Sequence, residues 1–475
     1  MPQDSLTLLQ RLDNLGRHTL RFFRRTRRAL VRLLREFWAW ILAWIKRVRP
    51  IFRWIAPSLI LARRLWRARA STPVRFYLLD PSYHDHFGHY RNLAQRLAEE
   101  CVRRGWMFIH ITGTEDPHPA DRLPFFHHPA RPAIRTFIPD PQFPRRAHRL
   151  CRRTTVALKS FLSAFGILRT LDRWLLPSSD AYFYLPTGDL LYLWAFLNSS
   201  RLSPRHHLWC NQFYLPLHFE SPNGQIRFAR HAHLLARLRQ SLPEHAARVH
   251  LTSDSPALLR HLSPILGSWP KLLPHPLLRP DLLDTLPAPE NLLNRPHPCS
   301  YFGYIVTNPK RGWPIVQRLL RQHAGTNTRW FLGLNSKNRE PNLIDEARQD
   351  AAAAGATLHF GYLPDDEYAV ALDRSASVLL PYSPAFYAMI SSARVIDALC
   401  HGCLPVVPAR TWLAEVVQQV DFGLIVNDSD WPGVPARLAS LDFAALWAAR
   451  REPIRAFLAQ FTARAFLDTL RRIND

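Results

Sequence analysis

The stretch "SVLLPYSPAFYAMISSARVIDALCHGCLPVVP", residues 377–408, decides how the chain folds. It opens on a short apolar run and passes through a loop of Pro and Ser. It continues as "ARVIDAL" with helical spacing and ends in the apolar run "CLPVVP". Strand, helix, strand is the repeating unit of a parallel sheet covered on both faces. His401-Gly402 ends the helix, with Gly402 expected in the left-handed conformation that glycine adopts at no steric cost. Cys400 and Cys403 flank that turn as a C-x-x-C with a histidine inside. A structural zinc needs four ligands, usually two such pairs, and the sequence has no second pair. The two thiols are therefore expected to be small buried hydrophobes, and no metal site is assigned.

The same alternation extends in both directions. Upstream are "CSYFGYI" (299–305), "TRWFLGL" (328–334) and "ATLHFGYL" (356–363), and downstream is "GLIV" (423–426), each separated by a helical pattern. A proline-rich stretch, 276–298, interrupts the rhythm and reads as a linker. Before it lies a second series: "VRFYLLD" (74–80), a helix from about His89, "MFIHIT" (107–112), "YFYLP" (182–186), "HHLWC" (206–210), "VHLTSD" (249–254) and "KLLPHP" (271–276). Strands alternating with helices predict an α/β protein with two Rossmann-like, doubly wound domains. The expected boundaries are 73–275 and 299–475, with the last helix crossing back to the first domain. Residues 113–150, rich in Pro, His and Arg, read as a long surface loop. At 475 residues the chain exceeds the roughly 250–300 at which single cores stop growing, which agrees with two domains.

Charge is unevenly placed. Lys and Arg number 62 against 37 Asp and Glu, for a net +25. Residues 1–72 hold 17 Lys/Arg against three acids, so they carry +14 of it. Within them Leu30, Leu33, Leu34, Phe37, Ile41, Trp44, Ile45 and Val48 recur at helical steps, and Pro50 and Pro57 break the pattern. The charge-free runs "FWAWILAWI" (37–45) and "WIAPSLILA" (54–62) are far shorter than the ~20 residues that span a bilayer. A signal peptide fits poorly, because charges flank both runs. Basic, tryptophan-rich amphipathic helices on an anionic membrane surface are the expectation. Packing on the protein's own body or a partner is the alternative, and a nucleic-acid arm is the third reading, disfavoured by the lack of a nucleic-acid module. Six cysteines scattered through so long a chain are not a disulfide framework and favour a reducing compartment.

Candidate chemistry also lies in "DPSYHDHFGHYRNLAQ" (80–95), a loop that starts at a strand end and leads into a helix. His84, Asp85, His86 and His89 are its titratable groups. As a metal set they fail, because successive side chains of an extended loop point apart. An uncharged histidine can take a proton near neutral pH, so His84, Asp85 and His86 are the candidates for base chemistry or acceptor contact. His206 and His207, at another strand end, compete for the role.

Taken together, "SVLLPYSP", "SSARVIDALCHG" and "CLPVVP", with "YFGYIVTNPKRGW", "WFLGLNS" and "LHFGYLPDDEYAVALDRSASVLLP" upstream, resemble the donor-binding half of GT-B glycosyltransferases, above all the retaining, family 4 type. The resemblance covers about residues 250–430 and, loosely, 74–110. It implies two Rossmann-like domains across a cleft, a nucleotide-diphosphate sugar as donor, and no obligatory metal or other cofactor. By resemblance Asp397 accepts hydrogen bonds from ribose hydroxyls, as a carboxylate can do twice at once. Ser391, Ser392 and Ala393 begin the helix whose amides meet the diphosphate, and the serines also suit capping. Arg311, with Lys310, holds the position of a cation that neutralises the leaving diphosphate. Tyr304 stands where the family has an arginine, and Met389 where it has a sugar-contacting acid. Gly361 and Tyr362 border the base, and Gly88, with His89, lets the backbone approach phosphate or acceptor. The implied activity is transfer of a sugar to a lipid-linked or polysaccharide acceptor at the cytoplasmic face of the membrane, in polysaccharide or lipopolysaccharide assembly. The other reading is an inactive GT-B scaffold that binds membrane and partner proteins.

Overall fold

Seven strands form the first sheet: β1 (Val74–Asp80), β2 (Met107–Thr112), β3 (Phe126–Pro129), β4 (Asp180–Leu185), β5 (His206–Asn211), β6 (Val249–Ser253) and β7 (Pro270–Leu272). They lie in the order β3-β2-β1-β4-β5-β6-β7, and every pairing is parallel. Their aromatic and aliphatic side chains are buried on both faces: Phe76, Tyr77 and Leu78 in β1, Phe183 and Tyr184 in β4, Leu208 and Trp209 in β5. That double burial is why these strands read as continuous apolar runs rather than alternating ones. The helices α1 (His89–Arg103) and α2 (Pro256–Leu266) belong to this lobe. Ser255 caps α2 by accepting from the Leu258 amide.

The structure, a computed structural model, describes residues 74–80, 89–112, 126–129, 180–186, 193, 206–211, 232–237, 240, 247–305, 309–326, 328–335 and 341–474. All of these fall in one compact unit, Trp66–Asp475. The basic segment 1–72 lies outside the described residues, as do His84, Asp85, His86 and Gly88. Among the described residues no helix is long and apolar enough to cross a membrane.

The second sheet contains β8 (Cys299–Tyr304), β9 (Trp330–Asn335), β10 (Thr357–Phe360), β11 (Ser377–Leu379), β12 (Leu404–Pro408) and β13 (Leu424–Val426). Its order is β10-β9-β8-β11-β12-β13, again all parallel. Around it run α3 (Trp313–Gln322), α4 (Pro341–Ala353), α5 (Asp365–Asp373), α6 (Ala393–Cys400), α7 (Trp412–Val420) and α8 (Phe443–Ala459). Trp313, Trp330, Trp447, Tyr301 and Tyr382 are at most 2% exposed and dominate this core. Full burial of such rings contributes roughly 1.5–3 kcal/mol each or more.

The last helix, α9 (Ala463–Asn474), serves the first lobe. Its Ala463, Phe466, Leu467 and Leu470 share a core with Phe76, Leu78, Leu93, Leu97 and Trp209. Arg104 of the first lobe fixes α9 from outside, with an ion pair to Asp468 at 2.8 Å and a bond to the Arg464 carbonyl at 3.0 Å. Residues 113–150, expected as loop, contain β3, which adds to β2 from Ile109↔Phe126 to Thr112↔Pro129. Ladder bonds are made by backbone, so four residues ending in a proline can pair at a sheet edge without an apolar signature.

In both sheets the strand order reverses once, between β1 and β4 and between β8 and β11. Loops leaving neighbouring strands diverge there and open a crevice at the carboxyl ends, which is where open α/β sheets bind ligands.

Candidate functional site

At the reversal in the second sheet, two loops meet. One leaves β8 and carries Lys310 and Arg311; the other leaves β11 and leads to α6. Gly312 joins them closely. Its φ is +73°, and a Cβ there would stand 1.9 Å from the Pro381 carbonyl oxygen. Only glycine fits both the conformation and the space. The Ser383 amide donates to the Lys310 carbonyl at 3.2 Å and the Tyr301 hydroxyl to the Arg311 carbonyl at 3.1 Å, so both loops are fixed from below.

Arg311 is thereby held among tyrosines. Its guanidinium carbon lies 5.6 Å from the ring centroids of both Tyr304 and Tyr382. The Lys310 ammonium is 5.7 Å from the Phe386 ring centroid. Burial works against the Arg311 charge, but neighbouring Tyr382 and Tyr387 outweigh it and the group stays cationic.

The helix α6 begins where the sequence places it. Ser392 is its N-cap, and its hydroxyl accepts from the Arg394 amide at 3.4 Å. Ala393 is the first helical residue, and the Ser391 hydroxyl donates to Asp254 Oδ2 of the first lobe. One turn on, Asp397 receives the Tyr368 hydroxyl at 3.4 Å. Burial pushes the Tyr368 phenol far above its usual range, so it remains a donor. Arg394 stacks 4.4 Å from the Tyr368 ring centroid. Gly361 (φ +122°) and half-exposed Tyr362 lie between β10 and α5, and the Tyr362 hydroxyl reaches Asp365 at 3.4 Å. Ser391 and Ser392 precede α6, Ala393 and Asp397 lie on it, Lys310 and Arg311 follow β8, and Gly361 and Tyr362 follow β10. Met389 is 3% exposed and is a packing residue.

The helix ends on Gly402 at φ +65°, with the His401 amide returning to the Asp397 carbonyl and the Cys403 amide to the Ala398 carbonyl. Cys400 and Cys403 are both buried. Burial raises the Cys400 thiol well above its ordinary value and pushes Cys403 up to about 12. Protonated thiols are poor ligands and poor nucleophiles. His401 turns away to Asp373, 2.8 Å from Nδ1. Among the described residues no group of three or more His, Cys, Asp or Glu could hold a metal ion.

Several residues near α6 and the ends of the first sheet were not singled out by sequence reasoning. Arg96 on α1 interacts electrostatically with Asp397 and Cys400 across the lobes, while its burial lowers its pKa. Asn92, one turn earlier, donates to Asp365 at 3.3 Å. At the carboxyl ends of the first sheet, His275 joins Tyr184 (3.0 Å from Nδ1) to Asn211 (2.8 Å from Nε2) and approaches Asp254 at 3.9 Å. His207 lies at the amino end of β5 instead, stacked on His250 with ring centroids 5.4 Å apart. Burial lowers the pKa of both rings, that of His250 to about 4. His89 opens α1; His84, Asp85, His86 and Gly88 precede it outside the described residues. Arg394 lies three residues before Asp397, on the same face of α6.

No protein-family model matches the sequence, and no curated protein sequence is similar to it. Solved structures are similar in fold. A glycosyltransferase from Rickettsia africae matches at TM-score 0.55 and 11% identity, over 85% of this chain and 98% of that one. Sucrose-phosphate synthase from Thermosynechococcus elongatus matches at TM-score 0.55 and 14% identity, over 85% and 98%. A trehalose-6-phosphate protein from E. coli bound with UDP-2-fluoro glucose matches at TM-score 0.52 and 10% identity, over 84% and 99%. At such identities a likeness speaks for the fold, and the chain has the two-lobed GT-B arrangement of these glycosyltransferases.

Proposed function

We propose that the protein is a glycosyltransferase that takes a sugar from a nucleoside-diphosphate donor and passes it to a lipid-linked or glycan acceptor. The observation that carries this reading is the crevice at the β8/β11 reversal. Asp397 and the capped N-terminus belong to α6, which follows β11, and Arg311 belongs to the loop after β8; strand order makes these two connections neighbours. Such a set matches a nucleoside diphosphate in chemistry. The carboxylate accepts from ribose hydroxyls, free amides and the helix dipole attract phosphate, and the guanidinium offsets charge on the departing diphosphate. Solved structures of the same fold contain UDP or a UDP-sugar analogue. The donor sits on the second lobe and the acceptor on the first, where one of His84, Asp85, His86 and His89 supplies the base. The domains are 73–275 and 299–475, with a linker at 276–298 and the last helix crossing back to the first domain. The basic segment 1–72 holds the enzyme to the inner face of an anionic membrane, where a lipid-linked acceptor lies. No metal is required, because arginine carries the countercharge.

One observation favours the inactive-scaffold reading. Met389, buried and apolar, stands where a sugar-contacting acid would be expected. A thermal-shift screen of nucleoside-diphosphate sugars separates the two. The transferase reading predicts that at least one donor raises the melting temperature of the wild type and fails to raise that of Asp397→Ala. A flat screen across all donors favours the scaffold.

A further inference from the structure

Arg394 is the second residue of α6, at the positive end of the helix dipole, where a cation is disfavoured, and Tyr368 and Asp397 support its charge there. A second guanidinium, Arg311, lies within electrostatic reach, which adds like-charge repulsion. Among the described residues neither arginine forms a salt bridge; both lean on aromatic rings, Tyr368 for Arg394 and Tyr304 and Tyr382 for Arg311. Rings hold a cation in place but do not cancel its charge. Tyr382, under Arg311, is fully buried, and its hydroxyl has no hydrogen-bond partner among the described residues. The nearby acids are committed elsewhere or too few. Asp254 takes the Ser391 hydroxyl and faces His275, and Asp397 is a single carboxylate between Arg394 and Arg96. Two guanidiniums without a salt bridge among the described residues, close to a helix N-terminus, offer positive charge that an incoming anion can complement.

We infer that Arg394 is a donor-binding residue that works with Arg311 to select a nucleoside diphosphate over a monophosphate. This rests on the donor crevice proposed above and adds to it a second phosphate-binding cation. The two guanidiniums come from different elements, one after β8 and one on α6, so each can take one phosphate group. Arginine suits this because its planar fork pairs with phosphate oxygens two at a time. A monophosphate engages one fork and leaves the other unpaired.

Calorimetric titration of the full-length protein with UDP, GDP, UMP and GMP tests the assignment. Wild type is expected to bind one diphosphate at least tenfold more tightly than its monophosphate. Arg394→Ala should weaken the diphosphate by about 10- to 100-fold and change the monophosphate by less than threefold, and Arg394→Lys should recover part of the loss. Arg394→Met, which keeps the stem over Tyr368, repeats the test if the alanine variant does not fold. Equal loss for both nucleotides, or no loss for either, overturns the role of Arg394 while leaving the crevice intact. Failure of the wild type to bind any of the four overturns the donor site itself.

Discussion

Gly312 shows how one residue sets the site. Its backbone passes so close to Pro381 that any side chain would displace the Arg311 loop from the end of β11. Gly312→Ala must also hold alanine at φ +73°, which costs roughly 1–2 kcal/mol before the clash is counted. The expected outcome is a lower melting temperature together with at least tenfold weaker nucleotide binding, read by thermal denaturation and titration. A stable variant with unchanged binding would show that the two loops do not depend on each other. Legibility varies sharply among single residues. Asp397 could be singled out only because "DALCHG" resembles the family's segment in register. Arg394 could not, since in a chain with so many arginines nothing in sequence separates a cation inside a crevice from one in solvent.

Elements were legible where their apolar pattern is long or their ends are punctuated. The helix α6 has a serine cap and a glycine stop, and β12 is a fully buried run, so both stand where the sequence predicts. The strand β3 was hidden because four backbone-paired residues at an edge carry no periodic signal. The helix α9 was expected to cross back, but only packing shows what it does there: Phe466 stands edge-on to Tyr184, with ring centroids 4.8 Å apart. Tyr184 in turn holds His275, so α9 buttresses the polar network at the strand ends. Phe466→Ala is expected to destabilise the first lobe by about 3–5 kcal/mol, measured by urea denaturation. A loss below 1 kcal/mol would mean that α9 merely covers the lobe.

For the whole molecule, two doubly wound parallel units follow from alternation, because parallel strands buried on both faces can be connected in few ways, whereas the strand order and the edge strand β3 do not. What joins the lobes was not legible. Ser391 to Asp254, Asn92 to Asp365 and Arg260 to Glu415 each link residues more than 100 apart in sequence through single polar contacts. No local pattern encodes such a contact. The basic segment 1–72 gives its own expectation. The full chain should co-sediment with vesicles containing phosphatidylserine, lose that binding in high salt, and lose it when 1–72 is removed. Equal binding to neutral vesicles or to competing DNA would redirect the reading of that segment.

The most direct test of the account is calorimetric binding of the nucleoside-diphosphate sugar that gives the largest thermal shift, compared between wild type and Asp397→Ala. The account predicts one site per chain for the wild type and at least a tenfold loss in the variant, whose fold is unchanged. Equal affinity in the two proteins would contradict it, because the carboxylate of α6 would then have no part in holding the donor.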